Sequence, residues 1–140
     1  MIIGCVADPG ETDNVRLLRR LYAAWNAGDR EASFAMLDPD FEFVNPPNAV
    51  EPGTRHGHAG LRTVMENLEG SFDEQDYIVE EIVDLGGNRI LCHIVFRARG
   101  RDSGARVEIP EQHLWTLRDG KLLRHEWFHD RAAAEQAARQ

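Results

Sequence analysis

Glu111, His113, His125 and His129 stand close together in the last third of the chain, interleaved with Trp115 and Trp127. Histidine is the side chain that titrates nearest neutrality, and a carboxylate two residues away can polarise it. Strand side chains alternate between faces, so Glu111, His113, Trp115 and Leu117 share one face. Leu123, His125, Trp127 and His129 share a face of the following strand. Neighbours two apart on one face have backbones roughly 6.5 Å from each other, near enough for direct or water-bridged contact. The chemistry this spacing suits is proton transfer, with His113 as general acid or base, Glu111 as its partner and Asn45 orienting a ligand. The plainer alternative is that His113 and His125 satisfy core hydrogen bonds while Glu111 faces the rim or a partner chain. Trp25, Trp115 and Trp127 suit either a core or a pocket wall.

Other chemistries lack their residues. His125 and His129 would share one side of a helix, but on a strand they lie about 13 Å apart, too far to hold one ion. No metal and no cofactor is expected. There is no phosphate-cradling glycine loop, no Gly-x-Ser-x-Gly elbow and no activated cysteine context. His56 and His58 flank Gly57 in a loop, as solvated residues or at the mouth of a pocket.

The elements that must position these residues follow from periodicity. Thr12 or Asp13 caps a helix carrying Val15, Leu18, Leu21, Tyr22 and Trp25 on one stripe. Asn26 to Asp29 stops it, and Asp29 opens a short helix with Phe34, Met36 and Leu37. Asp38-Pro39-Asp40 reads as a turn, Phe41 to Asn45 as a short strand and the stretch to His58 as an irregular loop. A third helix spans about 59–68. Four strands follow, Tyr77 to Leu85, Arg89 to Arg99, Arg106 to Arg118 and Lys121 to Asp130, before a helical tail at Ala132 to Ala138. Helices followed by strands imply an α+β domain. Its form would be a curved antiparallel sheet packed against three N-terminal helices, with a short C-terminal helix.

Composition narrows the partners. The chain has 140 residues, 16 basic against 24 acidic, for a net charge of -8. That leaves no positive field for nucleic acid. No window is apolar enough to span a membrane. The length suits one domain, with a core near 12–138 and an extension over 1–11. Met1-Ile2-Ile3-Gly4-Cys5 superficially resembles a lipoprotein box, but four residues are too few for its apolar run. Cys92 falls within an apolar strand pattern and reads as a small core residue, which with only two cysteines suggests a cytoplasmic setting. Eight acids and no base lie between Glu66 and Asp84, which suggests a solvated helix end and strand rim.

Several short segments, in order, resemble the nuclear transport factor 2-like superfamily, in its SnoaL-like and ketosteroid-isomerase-like branch. They are Tyr22 to Asp29, Asp40 to Phe43, His56 to Leu61, Arg118 to Lys121 and Asp130 to Ala133, and the resemblance covers about residues 12–138. It implies a cone of helices on a strongly bent sheet with a pocket between them, and commonly a homodimer. An outer sheet face bearing His93, Val95 and Arg97 would form that dimer. The steroid-isomerase machinery does not carry over. Its helix tyrosine falls at Leu21, its base at Asn45 and its oxyanion aspartic acid near His113, and neither an amide nor a leucine can do that work. The expectation is a pocket for a small apolar organic molecule, with acid-base catalysis of isomerase, cyclase, dehydratase or hydrolase type. The other reading is a non-catalytic ligand-binding or dimerisation module.

Overall fold

The computed structural model describes residues 11–49 and 51–140, so Cys5 and the N-terminal extension lie outside the described residues. Helix α1 (Asp13–Ala27) starts where Thr12 Oγ1 accepts the Val15 amide hydrogen at 3.2 Å. The same hydroxyl donates to Asp84 at 2.8 Å, fastening the helix start to a strand end. Val15, Leu18, Leu21 and Tyr22 form the buried stripe. Gly28, at φ 71°, ends the helix in the left-handed conformation that glycine adopts without strain. Asp29 then caps α2 (Arg30–Ala35). After β1 (Leu37–Asn45) and β2 (Gly53–His56) comes α3 (Gly57–Ser71). Strands β3 (Phe72–Gly86), β4 (Arg89–Gly100), β5 (Arg106–Arg118) and β6 (Lys121–Phe128) form the meander, and α4 (Arg131–Ala138) closes the chain.

The six strands form one curved, open sheet in the order β2-β1-β6-β5-β4-β3. All neighbours are antiparallel except β1 and β6, which run parallel. That pair joins strands far apart in the chain, which is why local alternation does not reveal it. Helices α1 and α3 cover the concave face, where Leu18, Leu21, Leu61, Ile90, Ile94 and Leu122 are fully buried. On the convex face α4 seats Ala134 against Leu91 and Leu114. No helix among the described residues is long and apolar enough to cross a membrane.

Four expectations change. Asp38-Pro39-Asp40 is not a turn before the strand but lies within β1, at a register slip between Leu37 and Glu42. The turn chemistry is real all the same, since Asp38 Oδ1 accepts the Asp40 amide hydrogen at 2.8 Å. Gly53 to His56, read as loop, is an edge strand paired with β1. Its turn into α3 packs so closely that a Cβ on Gly60 would come within 2.8 Å of the Arg55 backbone. A bulge at Thr116 and Leu117 shifts β6 by one residue, so Leu122 rather than Leu123 enters the core beside His125. Finally, the acidic run is largely paired, not merely solvated. Asp73 meets Arg99 at 3.0 Å, Asp76 meets Arg97 at 3.2 Å and Glu81 meets Arg131 at 3.5 Å.

The segment Arg118-Asp119-Gly120-Lys121 is a latch. Arg118 donates to both oxygens of Asp38, at 3.0 and 2.6 Å, and to Asp40 at 2.9 Å. Lys121 Nζ donates to the Ala35 carbonyl oxygen at the end of α2, at 2.8 Å. Arg118 and then the Asp40 amide hold the Asp38 carboxyl below the usual carboxylate range. A lowered folded-state pKa gives stabilisation that is complete above the ordinary value of about 4 and drains away as pH falls below it. Asp38→Asn should therefore lower Tm at pH 7 and flatten the fall in Tm between pH 7 and pH 3. Parallel Tm curves for the two proteins would show that the latch does not contribute to acid sensitivity.

Candidate functional site

An open cavity of about 1210 Å³ lies between α1, α3 and the concave sheet face. Trp25, at the C-terminal end of α1, forms one wall, and Leu61, Val64 and Met65 of α3 form another. Phe43, Phe96, His113 and His125 line the sheet side, with Asn45, Glu111, Trp127 and His129 beside the C-terminal ends of β1 and β6. Of the eight residues singled out from the sequence, seven border this space. Trp115 does not. It is fully buried behind the wall, edge-on to Tyr22 and 4.4 Å from His125 between ring centres.

Trp115 instead starts a hydrogen-bonded chain. Its indole N–H donates to the Tyr22 hydroxyl oxygen at 3.0 Å. That hydroxyl lies 2.7 Å from His113 Nδ1, and His113 Nε2 lies 2.9 Å from Glu111 Oε1. The proton positions follow from what each group can do. An indole only donates, so the Tyr22 oxygen accepts there and has one hydrogen to give. Given to His113 rather than to the weakly accepting Cys92 sulfur beside it, that hydrogen makes Nδ1 an acceptor and leaves the ring proton on Nε2, directed at Glu111. Both nitrogens of His113 are then occupied, and the ring is 2% exposed. Only Oε1 of Glu111 is engaged among the described residues, so its other oxygen is the member of this chain with capacity to spare.

The surroundings keep the other groups uncharged. Burial, chiefly, raises the Tyr22 hydroxyl well above its ordinary value. Tyr77 is raised by burial and then by the negative charge of Glu111. Burial pushes the Cys92 thiol up to about 12. His125 is lowered well below its ordinary value, first by burial and then by His113. It stacks on Phe43 with ring centres 4.5 Å apart, stands 4.6 Å from His113, and neither of its ring nitrogens has a hydrogen-bond partner among the described residues. The result is a carboxylate against neutral aromatic walls, an arrangement suited to moving one proton to or from an apolar molecule.

Towards the cavity mouth, Trp127 Nε1–H donates to Asn45 Oδ1 at 2.8 Å, which leaves the Asn45 amide hydrogens to meet a ligand. His129 packs edge-on against Trp127 with ring centres 5.0 Å apart. His56 lies within 3.7 Å of Glu42, and His58 stacks on Phe34; neither borders the cavity. His93 on the convex face is 5% exposed and bonded to Gln112, while Arg97 holds Asp76.

Sequence reasoning did not single out Tyr22 or Tyr77. Tyr22 falls on the apolar stripe of α1, where nothing in the spacing sets it apart from its neighbours. The available signal was its hydroxyl, which once buried must find a partner. Tyr77 begins a predicted strand, and nothing local marks it as facing Glu111 and His113.

The bent sheet, its helices and the cavity between them define a nuclear transport factor 2-like fold, the architecture that the resemblance implied. A family model described as a SnoaL-like domain matches residues 18–125, and the chain belongs to that family. Among solved structures, it is similar to a nuclear transport factor 2-like protein of unknown function from Burkholderia pseudomallei. That match has 22% identity, covers 90% of this chain and 97% of the other, and gives a TM-score of 0.77. A proposed SnoaL-like polyketide cyclase from Jannaschia is 23% identical, with 96% of each chain covered and a TM-score of 0.74. A protein of ketosteroid isomerase-like fold from Catenulispora acidiphila, solved with trimethylamine, is 12% identical, with 91% of each chain covered and a TM-score of 0.72. No curated protein matches the sequence significantly.

Replacing Tyr22 with Phe removes the acceptor for Trp115 Nε1 and the donor to His113 Nδ1 together. Two buried groups left unpaired should cost about 2 kcal/mol or more in denaturant unfolding. In ¹⁵N-histidine spectra, His113 should be the Nε2–H tautomer in the wild-type protein and a mixture in Tyr22→Phe. An Nδ1–H tautomer in the wild type would refute the proton assignment.

Proposed function

We propose that the protein binds a small, mostly apolar organic molecule and acts on it as a cofactor-independent acid-base enzyme. The observation that carries this reading is the chain from Trp115 through Tyr22 and His113 to Glu111, ending in a carboxylate beside the cavity. In this reading Glu111 takes or returns the substrate proton. His113 holds the carboxylate in place and supplies a hydrogen bond that is strongest while Glu111 is ionised. Asn45 offers its amide hydrogens to the ligand, and Trp25, Trp127 and Phe43 give it apolar cover. The likeness to a chain described as a polyketide cyclase, and to another holding a small organic molecule, supports a reaction of isomerase or cyclase type.

Proton abstraction can be followed without the natural substrate, by deuterium exchange next to the carbonyl of 2-tetralone in D₂O. The wild-type protein should accelerate exchange over buffer. Glu111→Gln should lower the enzymatic rate by about 10² or more, the usual worth of a positioned acid-base group. His113→Gln, which keeps a hydrogen-bond donor, should lower it less. Equal rates for wild type and Glu111→Gln would exclude Glu111 as the base. A wild-type rate no faster than buffer would reduce the site to a binding pocket.

A further inference from the structure

Two side chains beside Glu111 and His113 hold polar atoms with nothing to bond to. Among the described residues, the Trp25 indole nitrogen and both ring nitrogens of His125 are buried without a partner, yet both side chains border the cavity. Unsatisfied buried donors are uncommon because burying one without a partner forfeits its hydrogen bonds to water. The contrast with the other two indoles is sharp: Trp115 donates to Tyr22 and Trp127 donates to Asn45. Only Trp25 keeps its N–H unused. Its ring centre lies 6.3 Å from that of His125.

The chemistry of the pair selects its guest. An indole N–H can only donate, and a neutral imidazole has one N–H and one lone pair. A ligand atom held between them must therefore accept hydrogen bonds. Its charge is limited by what lies around it. Arg30 is paired with Glu69 and Arg55 with Glu51, while Arg101 donates to the Glu69 carbonyl oxygen. Among the described residues these are the arginines lining the cavity; Arg101 keeps its charge, but the three are outnumbered by six lining carboxylates, Asp29, Glu51, Glu69, Asp73, Glu74 and Glu111. Glu111 adds repulsion against an anion. A carboxylate or phosphate is disfavoured, and an uncharged oxygen fits.

We propose that Trp25 Nε1–H and His125 together form an anchor for an uncharged acceptor oxygen of the ligand, a carbonyl above all, held beside the Glu111–His113 pair. The anchor rests on the reading that the cavity admits an apolar organic molecule, but it does not require that Glu111 be catalytic. It places the ligand oxygen at the sheet side of the cavity, against the ring that itself stands 4.6 Å from His113.

The test compares 2-acetylnaphthalene with 2-isopropylnaphthalene, which match in shape and differ in the oxygen. Affinities are measured by fluorescence titration, and the three indole N–H signals are followed in ¹H–¹⁵N spectra. Wild-type protein should bind the ketone about tenfold more tightly, the worth of one well-made buried hydrogen bond. The Trp25 signal, assigned by its loss in Trp25→Phe, should move downfield with the ketone and not with the hydrocarbon. Trp25→Phe and His125→Phe should each lose the preference for the ketone while still binding the hydrocarbon, which shows that the cavity is intact. Glu111→Gln should keep that preference even if exchange activity is lost, so the anchor and the acid-base reading fail separately. Equal affinities in the wild type, or a Trp25 signal unmoved at ketone saturation, would overturn the anchor. Failure of both probes to bind would overturn it together with the apolar-ligand reading.

Discussion

The Trp115–Tyr22–His113–Glu111 chain is the constraint on which the site depends. It starts in the core and ends at the cavity, crossing from β5 to α1 and back to β5. A buried tyrosine hydroxyl and a buried imidazole are each costly alone, and each removes the cost of the other. The same bonds that make the core tolerable therefore fix the orientation of the His113 ring. A ring with both nitrogens committed holds a carboxylate well but is a poor proton acceptor itself. In the proposed function the chemical emphasis therefore falls on Glu111 rather than on His113, the residue that the sequence draws attention to.

Charge is distributed to serve the same end. Several ion pairs sit at strand ends and edges: Arg118 with Asp40, Arg99 with Asp73, Arg97 with Asp76. At such exposed places a pair costs little desolvation and contributes modestly. The inner wall, in contrast, holds neutral Tyr22, Tyr77 and His125 around Glu111. Interactions with that carboxylate are screened less there than at the surface, so small changes in its hydrogen bonding matter more.

Much of the fold was legible because it rests on local rules. Thr12, Gly28 and Asp29 cap helices, and the alternation in Arg89 to Arg99 gives the β4 faces as observed, whereas Asp130, read as the end of the last strand, caps α4. What escaped is what depends on partners distant in sequence. The β1–β6 pairing is parallel, and β2 exists only because β1 offers it an edge. The bulge that brings Leu122 inward breaks the two-residue period that placed Leu123 there. The acidic run looked like solvent-facing surface because its arginine partners lie on β4 and α4, many residues away.

The site shows the same division more sharply. Spacing on one strand was enough to place Glu111 beside His113, since period-two neighbours meet whatever the rest of the chain does. It could not show that Tyr22, 91 residues earlier, fills the other nitrogen of the ring. The motif segments divide along this line too. Arg118 to Lys121 and Asp130 latch elements together, and Gly60 permits a close approach of α3 to β2. These segments carry the likeness to the family, and many of their contacts are architectural, although they also bring Tyr22, Trp25, Phe43 and Leu61 to the site. The side chains facing the cavity, Glu111, His113, His125 and Trp25, lie mostly outside them, and Trp25 enters as the wall that ends α1. A family recognised through these segments thus fixes where the cavity lies and supplies Tyr22 and Trp25, while Glu111, His113 and His125 are set by strands outside them.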